Sequence, residues 1–232
     1  MQQNSFVAFC KTTLFFDKNA TRKIRLDKQK LLKEKNMQHN GAEAKKFKQD
    51  LLDKLYEPYK KCVQCPLGFL GRTHVVFGEG NPDAELMFVG EAPGQDEDIQ
   101  GRPFVGRSGK LLNKALAIAD INREDVFITN VVKCRPPNNR TPLPIEINTC
   151  ISILLIHQIK IIRPKIICAL GSVALTTLLG GKHKITQVRG KTFERENFKI
   201  IPIYHPSYVL RSPNQEKIFY EDIKLIKQKL SE

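Results

Sequence analysis

Four short runs, ELMFVG (85–90), DVFITN (125–130), KIICALG (165–171) and KIIPIYH (199–205), are apolar almost without interruption. A strand with one wet face alternates apolar and polar residues, whereas a strand covered on both faces does not. Helical patterns separate the runs: GKLLNKALAIA (109–119), PLPIEINTCISILLIHQIKII (142–162) and SVALTTLLG (172–180). Strands of this kind alternating with helices predict an α/β fold whose parallel sheet is covered on both faces. Pro202 inside the fourth run predicts an edge strand or a strand start. Pro144 suits the first turn of the second helix, where its missing N–H costs nothing.

Ligands of open α/β sheets bind outside the carboxyl ends of the strands, so the residues that end each run matter most. The first run ends in Gly90-Glu91-Ala92-Pro93-Gly94, the second in Asn130, the third in Gly171-Ser172 and the fourth in His205-Pro206-Ser207. Glu91, Asn130 and His205 are thereby expected on one rim, with His205 as a catalytic candidate. Phe104, held in a Gly/Pro-rich loop, reads either as a core plug or as a stacking surface for a flat ligand. Asp96, Glu97 and Asp98 read as a loop in which at least two carboxylates are solvated; the rival reading is a Mg²⁺ site for phosphoryl transfer. GRPFVGRS (101–108) falls short of a phosphate-binding loop, because Arg107 stands where that loop needs Lys.

The chain carries 38 Lys and Arg against 24 Asp and Glu, a formal charge of +14 in 232 residues. So large an excess points to a polyanionic partner, nucleic acid before an acidic membrane surface. Fifteen of the basic residues and only seven acidic ones fall within residues 1–61. Residues 1–40 show no clean period and are expected to be a lysine-rich extension; residues 41–232 are expected to form the folded domain. Its first helix is AEAKKFKQDLLDKLYEPYKKC, with Phe47, Leu51, Leu52 and Leu55 on one side. No transmembrane run and no secretory signal are read, so a reducing, intracellular setting is expected. In that setting cysteines are better ligand candidates than disulfide partners. Cys62-Val-Gln-Cys65, with Cys134 and Cys150, can close a tetrahedral zinc site or hold one iron–sulfur cluster. Cys168 reads as core.

Several long motifs, in order, resemble the family 4 uracil-DNA glycosylases, the iron–sulfur branch of that superfamily. They are KCVQCPLG with GRTHVVFGEGNP, then VGEAPGQDED, GRPFVGRSG, ITNVVKCRPPNNRTP, the cysteine at 150, and HPSYVLR. The resemblance covers the chain from about Ala42 onward. It implies a three-layer α/β/α sandwich with a small central parallel sheet, and a [4Fe–4S] cluster on Cys62, Cys65, Cys134 and Cys150. It further implies a monomer that flips uracil out of single- or double-stranded DNA and hydrolyses its glycosidic bond, with no membrane partner.

In that scheme Phe104 stacks on the base, Asn130 reads its edge, and Gly90, Ala92 and Gly94 shape the pocket. His205 stabilises the leaving base, and Glu91 stabilises the sugar cation or orients water. Arg107, Lys110, Ser207, Leu210 and Arg211 contact DNA, with HPSYVLR as a loop wedged into the helix by Tyr208 or Leu210. Departures exist: Ala92 stands where other branches carry Asp, and Gly94 where they carry Tyr. CRPPNNRTP lacks the histidine with which one branch traps the sugar, so turnover is expected. The rivals are a non-catalytic member of the same fold and a Mg²⁺-dependent nuclease.

Overall fold

The computed structural model describes residues 41–232, and the expected lysine-rich extension over 1–40 lies outside the described residues. The described residues open with α1 (Gly41–Tyr56), followed by β1 (Glu79–Gly80), β2 (Leu86–Gly90), α2 (Gln95–Gln100), α3 (Arg107–Ile118) and β3 (Phe127–Asn130). A helical run then comes in three parts: α4 (Pro144–Cys150), a π-helical turn (Ile151–Leu155) and α5 (Ile156–Ile162). After it come β4 (Ile166–Leu170), α6 (Gly171–Leu179), α7 (Ile185–Val188), β5 (Phe193–Glu194), β6 (Lys199–Ile203), α8 (Pro206–Arg211) and α9 (Glu216–Leu230).

The six strands form one sheet in the order β1-β3-β2-β4-β6-β5. Its four central strands are mutually parallel, and they are the four apolar runs of the sequence. The two edges are two-residue antiparallel strands, too short to leave a pattern in the sequence. Successive β2 residues feed opposite layers. Met87 and Val89 join the cluster beneath α1, α4, α5 and α6, while Leu86 and Phe88 join the one beneath α3, α8 and α9. β4 does the same, with Ile167 and Ala169 on one side and Ile166, Cys168 and Leu170 on the other. That alternation makes the molecule a three-layer α/β/α sandwich.

Two expectations need correction. Pro202 lies neither on an edge strand nor at a strand start, for β6 sits between β4 and β5. It is tolerated because β5 pairs only with Lys199 and Ile200. At Pro202 the ladder has already ended, and the proline carbonyl accepts the Gly190 N–H at 2.8 Å instead. The second correction concerns Pro144–Ile162, which is by length and apolarity long enough to cross a membrane. Here Ile151, Leu154, Leu155, Ile159 and Ile162 pack into the core beside the sheet. The π turn directly after Cys150 interrupts what reads in sequence as one continuous helix.

The remaining helices follow their apolar spacing. α9 buries Phe219, Ile223 and Ile226 and adds an ion pair, in which half-buried Arg189 donates to both oxygens of buried Asp222 at 2.7 and 3.0 Å. α1 buries Leu52 and Leu55, and Tyr56 stacks on Phe77 at 4.7 Å while its hydroxyl donates to the Val75 carbonyl.

Phe88 lies fully buried at the centre of β2. Phe88→Ala is expected to destabilise the fold by about 3–5 kcal/mol, the cost of a large core cavity, measured by urea denaturation.

Candidate active site

The chain leaves β2 toward β3 on one side, then crosses over to β4 on the other, so the strand order reverses at β2. Such a reversal opens a crevice at the strand carboxyl ends. Gly90 and Asn130 are paired residues at the ends of β2 and β3. A Cβ on Gly90 would stand 2.4 Å from Asn130 Oδ1 and 2.6 Å from the Phe104 ring, so only glycine leaves space for both. After β4, Gly171 takes φ 85° and lets His205 approach, for a Cβ there would stand 2.8 Å from that of His205. Glu91, Ala92, Gly94, Phe104, Asn130, His205, Ser207 and Arg211 all line one cavity of about 430 Å³.

Asn130 is 1% exposed, and its Oδ1 has no hydrogen-bond partner among the described residues. An orphaned buried acceptor costs about 1–3 kcal/mol, so its presence in a cavity wall marks a place for a ligand donor. Phe104 is buried, with its ring 5.8 Å from that of His205 at an interplanar angle of 37°. Its φ of 51° is left-handed, which costs an L residue roughly 1–2 kcal/mol.

His205 caps the N-terminus of α8. Its Nδ1 accepts the Ser207 N–H at 3.1 Å and lies 2.7 Å from Ser207 Oγ. A ring nitrogen that accepts a backbone N–H carries no proton, so the proton sits on Nε2. Burial lowers the His205 pKa to about 4, helped by nearby Arg211, so the ring is neutral at pH 7. Glu91 goes the other way: burial raises its carboxyl above the ordinary range, against a smaller opposing hydrogen bond from Thr141.

The acidic run does not match its expected setting. Asp96 is exposed, but Glu97 is half-buried and Asp98 is 3% exposed. Asp98 accepts the N–H groups of Thr73 and His74, and Glu97 accepts those of Gly94, Val105 and Gly106. Fixed backbone donors supply what water was expected to. The two carboxylates are turned to different amides, and among the described residues no three His, Cys, Asp or Glu side chains converge on a single metal ion.

Cys62 and Cys65 are half-buried, Cys134 and Cys150 are buried, and all four are free thiols. Burial pushes the thiols of Cys134 and Cys150 up to about 12; Cys62, Cys65 and Cys150 add to the cost of ionising Cys134, and Cys62 and Cys65 to that of Cys150. Arg72 closes the Cys62–Gly68 loop by donating to the carbonyls of Cys62 at 2.6 Å and Gly68 at 2.8 Å. Lys133 is fully buried between Asn130 and Cys134 in sequence; its Nζ donates to the Asn130 carbonyl at 2.7 Å and to Thr129 Oγ1 at 2.5 Å.

Arg107 and Lys110 are exposed at the start of α3, and with Leu210 they line a second groove of about 360 Å³. HPSYVLR is not a loop: Pro206–Arg211 is helical, begun by a proline in its first turn and capped by His205. Tyr208 projects from that helix and packs on Tyr204 at 5.0 Å.

Some lining residues escaped the reading of the sequence. Asn139, Arg140 and Thr141 reach the cavity from the loop after β3, and Ser108 from α3. Asn138 and Asn139 both have positive φ, which an Asn-Asn pair tolerates, and that was the available signal. Arg140 pins the loop by a two-pronged contact with buried Glu146 at 2.7 and 2.9 Å. Lys133 was legible only as a charge inside the apolar stretch VVKC.

Comparison with known proteins places these features in a group. The family model of the uracil DNA glycosylase superfamily matches residues 77–226. A type-4 uracil-DNA glycosylase of Thermotoga maritima is 51% identical over 184 residues, covering 78% of this chain and 95% of that protein. A type-4 uracil-DNA glycosylase of Sulfurisphaera tokodaii is 47% identical, covering 77% of this chain and 84% of its own length. A DNA polymerase of Bacillus phage SP01 is 35% identical over 150 residues, which are 16% of that protein.

Gly90→Ala is expected to fold but to lose about 1–3 kcal/mol, because the Phe104 ring and the Asn130 amide must both move. A thermal melt alongside the parent protein measures it.

Proposed function

The chain belongs to the uracil DNA glycosylase superfamily, and from that premise we propose that it excises uracil from DNA and leaves an abasic site. The observation that carries this reading is the unpartnered Asn130 Oδ1 in the wall of the cavity. Uracil presents an N3–H donor beside its O4 acceptor, and a side-chain amide offers the complementary pair. Cytosine presents an acceptor and an amino group there, leaving both amide groups mismatched, and a buried mismatch is rejected strongly.

The target nucleotide must leave the stack to reach such a cavity, and the Phe104 ring gives the extruded base a face to lie on. The N1–C1′ bond then breaks with its electron pair going to N1. Negative charge spreads to O2, where His205 Nε2–H donates a hydrogen bond; a neutral ring already protonated at that atom needs no reorganisation. Glu91 faces the sugar, where its carboxylate stabilises positive charge and orients the water whose oxygen bonds to C1′; the proton that water loses passes to Glu91, and the departing uracil anion takes up a proton as it leaves. Arg107, Lys110, Ser207, Leu210 and Arg211 hold the DNA backbone around the opening. With Ala92 and Gly94 small, nothing bulky in the turn fills the space beside the base.

Cys62, Cys65, Cys134 and Cys150 fit an iron–sulfur cluster. The donor set is four cysteine sulfurs, near enough to one another that Cys62, Cys65 and Cys150 each raise the cost of ionising Cys134, and four thiolates are the ligands such a cluster takes. When bound, a [4Fe–4S] cluster cross-links the segments around Cys62, Cys134 and Cys150 and turns costly buried thiols into bonded thiolates. We read the enzyme as a monomer acting on single- or double-stranded DNA.

An oligonucleotide with one uracil, incubated in EDTA and then treated with alkali, tests the reading. Cleavage only after alkali is expected; binding without product supports the non-catalytic rival, and EDTA-sensitive nicking supports the nuclease. Asn130→Ala should lower kcat/KM about a hundredfold, roughly 3 kcal/mol of lost transition-state binding.

The pH profile follows from two opposite shifts. His205 must be neutral, and its depressed pKa keeps it so until the pH falls to about 4. Glu91 must be ionised, and its raised pKa makes it the first group lost as pH falls. The acid limb of kcat/KM should therefore lie above the ordinary carboxylate range. Glu91→Gln should lower the plateau and abolish that limb.

A further inference from the structure

We propose that Glu97 is a positioning residue that holds Phe104 as the platform for the extruded base, an inference that rests on the uracil-excision reading above. Phe104 is the one aromatic residue with a left-handed backbone among the described residues. A bulky residue stays in that conformation only where its surroundings over-determine it.

Three contacts do so here. On the far side of Phe104, Glu97 Oε1 accepts two consecutive amides, from Val105 at 2.9 Å and Gly106 at 2.8 Å. On the near side, Arg123 Nη2 donates to the Pro103 carbonyl at 2.6 Å. Arg123 is itself braced by Asn113 Oδ1 at 2.7 Å and Glu79 Oε1 at 2.9 Å. Finally, the Phe104 carbonyl packs against Gly109, where a Cβ would stand only 1.9 Å from its oxygen. The second oxygen of Glu97 accepts the Gly94 N–H at 3.1 Å, at the end of the turn that begins with Glu91. One carboxylate thus fixes the stacking ring relative to the catalytic turn. A carboxylate holding three backbone amides has little capacity left for a cation, which separates this role from the metal-ligand reading of the same residue.

The test is a double-mutant cycle with Glu97→Ala, Phe104→Ala and the pair, on uracil-containing oligonucleotide. The readouts are kcat, KM, inhibition by free uracil, and melting temperature. If Glu97 acts through Phe104, Glu97→Ala weakens inhibition by free uracil and lowers kcat/KM on the order of tenfold to a hundredfold, the range a misplaced group produces. In the Phe104→Ala background the same change should then cost less than about twofold. Glu97→Gln keeps one carbonyl oxygen for the two amides and should restore much of the loss; Glu97→Leu, which keeps bulk but no acceptor, carries the cycle if the alanine variant does not fold. Equal losses in both backgrounds, or unchanged inhibition by free uracil, would overturn the positioning role. A wild-type protein that releases no uracil would instead overturn the functional reading on which the role depends.

Discussion

Burial of the sheet on both faces is the constraint on which the rest depends. β2 sends Met87 and Val89 into one apolar layer and Leu86 and Phe88 into the other, so neither face has room for a polar group in mid-strand. Polar chemistry is confined to where the strands stop. Asn130, Glu91 and His205 meet because three parallel strands end at one level, and the reversal of strand order opens a crevice there. The hydrophobic effect, which has no direction of its own, fixes the address of the site.

Within that crevice the charges are set by desolvation more than by pairing. His205 is kept neutral and Glu91 resists ionising for the same reason, the removal of water. Exposed basic side chains stand at the start of α3 and at Arg211 on α8, which also lines the cavity. The cavity wall carries both signs, Glu91 and Glu97 against Arg140 and Arg211. Only a ligand that brings its own hydrogen-bond donor can complete Asn130.

Much of this was legible in the sequence, and the reasons differ between parts. The four parallel strands announced themselves because double burial leaves no alternation to blur, and their ends delivered Glu91, Asn130 and His205 to one rim. The two edge strands left no trace, because two residues cannot carry a period. Glu97 and Asp98 were misjudged because a sequence shows charge but not the backbone amides that solvate it; their partners lie as much as 25 residues away in sequence. HPSYVLR was read as a loop from the resemblance, yet it is helical, for a proline in a first turn starts a helix. Asn139 and Thr141 came to the cavity by the path of a loop, which no periodicity encodes.

Asn130, Lys133 and Cys134 fall within five consecutive residues. The side chain that faces the cavity, the buried amine that grips its carbonyl and a thiol of the four-cysteine group share one stretch of backbone. An inserted or deleted residue there would displace all three together, and no single later substitution could restore them. The segment therefore tolerates replacement in place far better than a change of length.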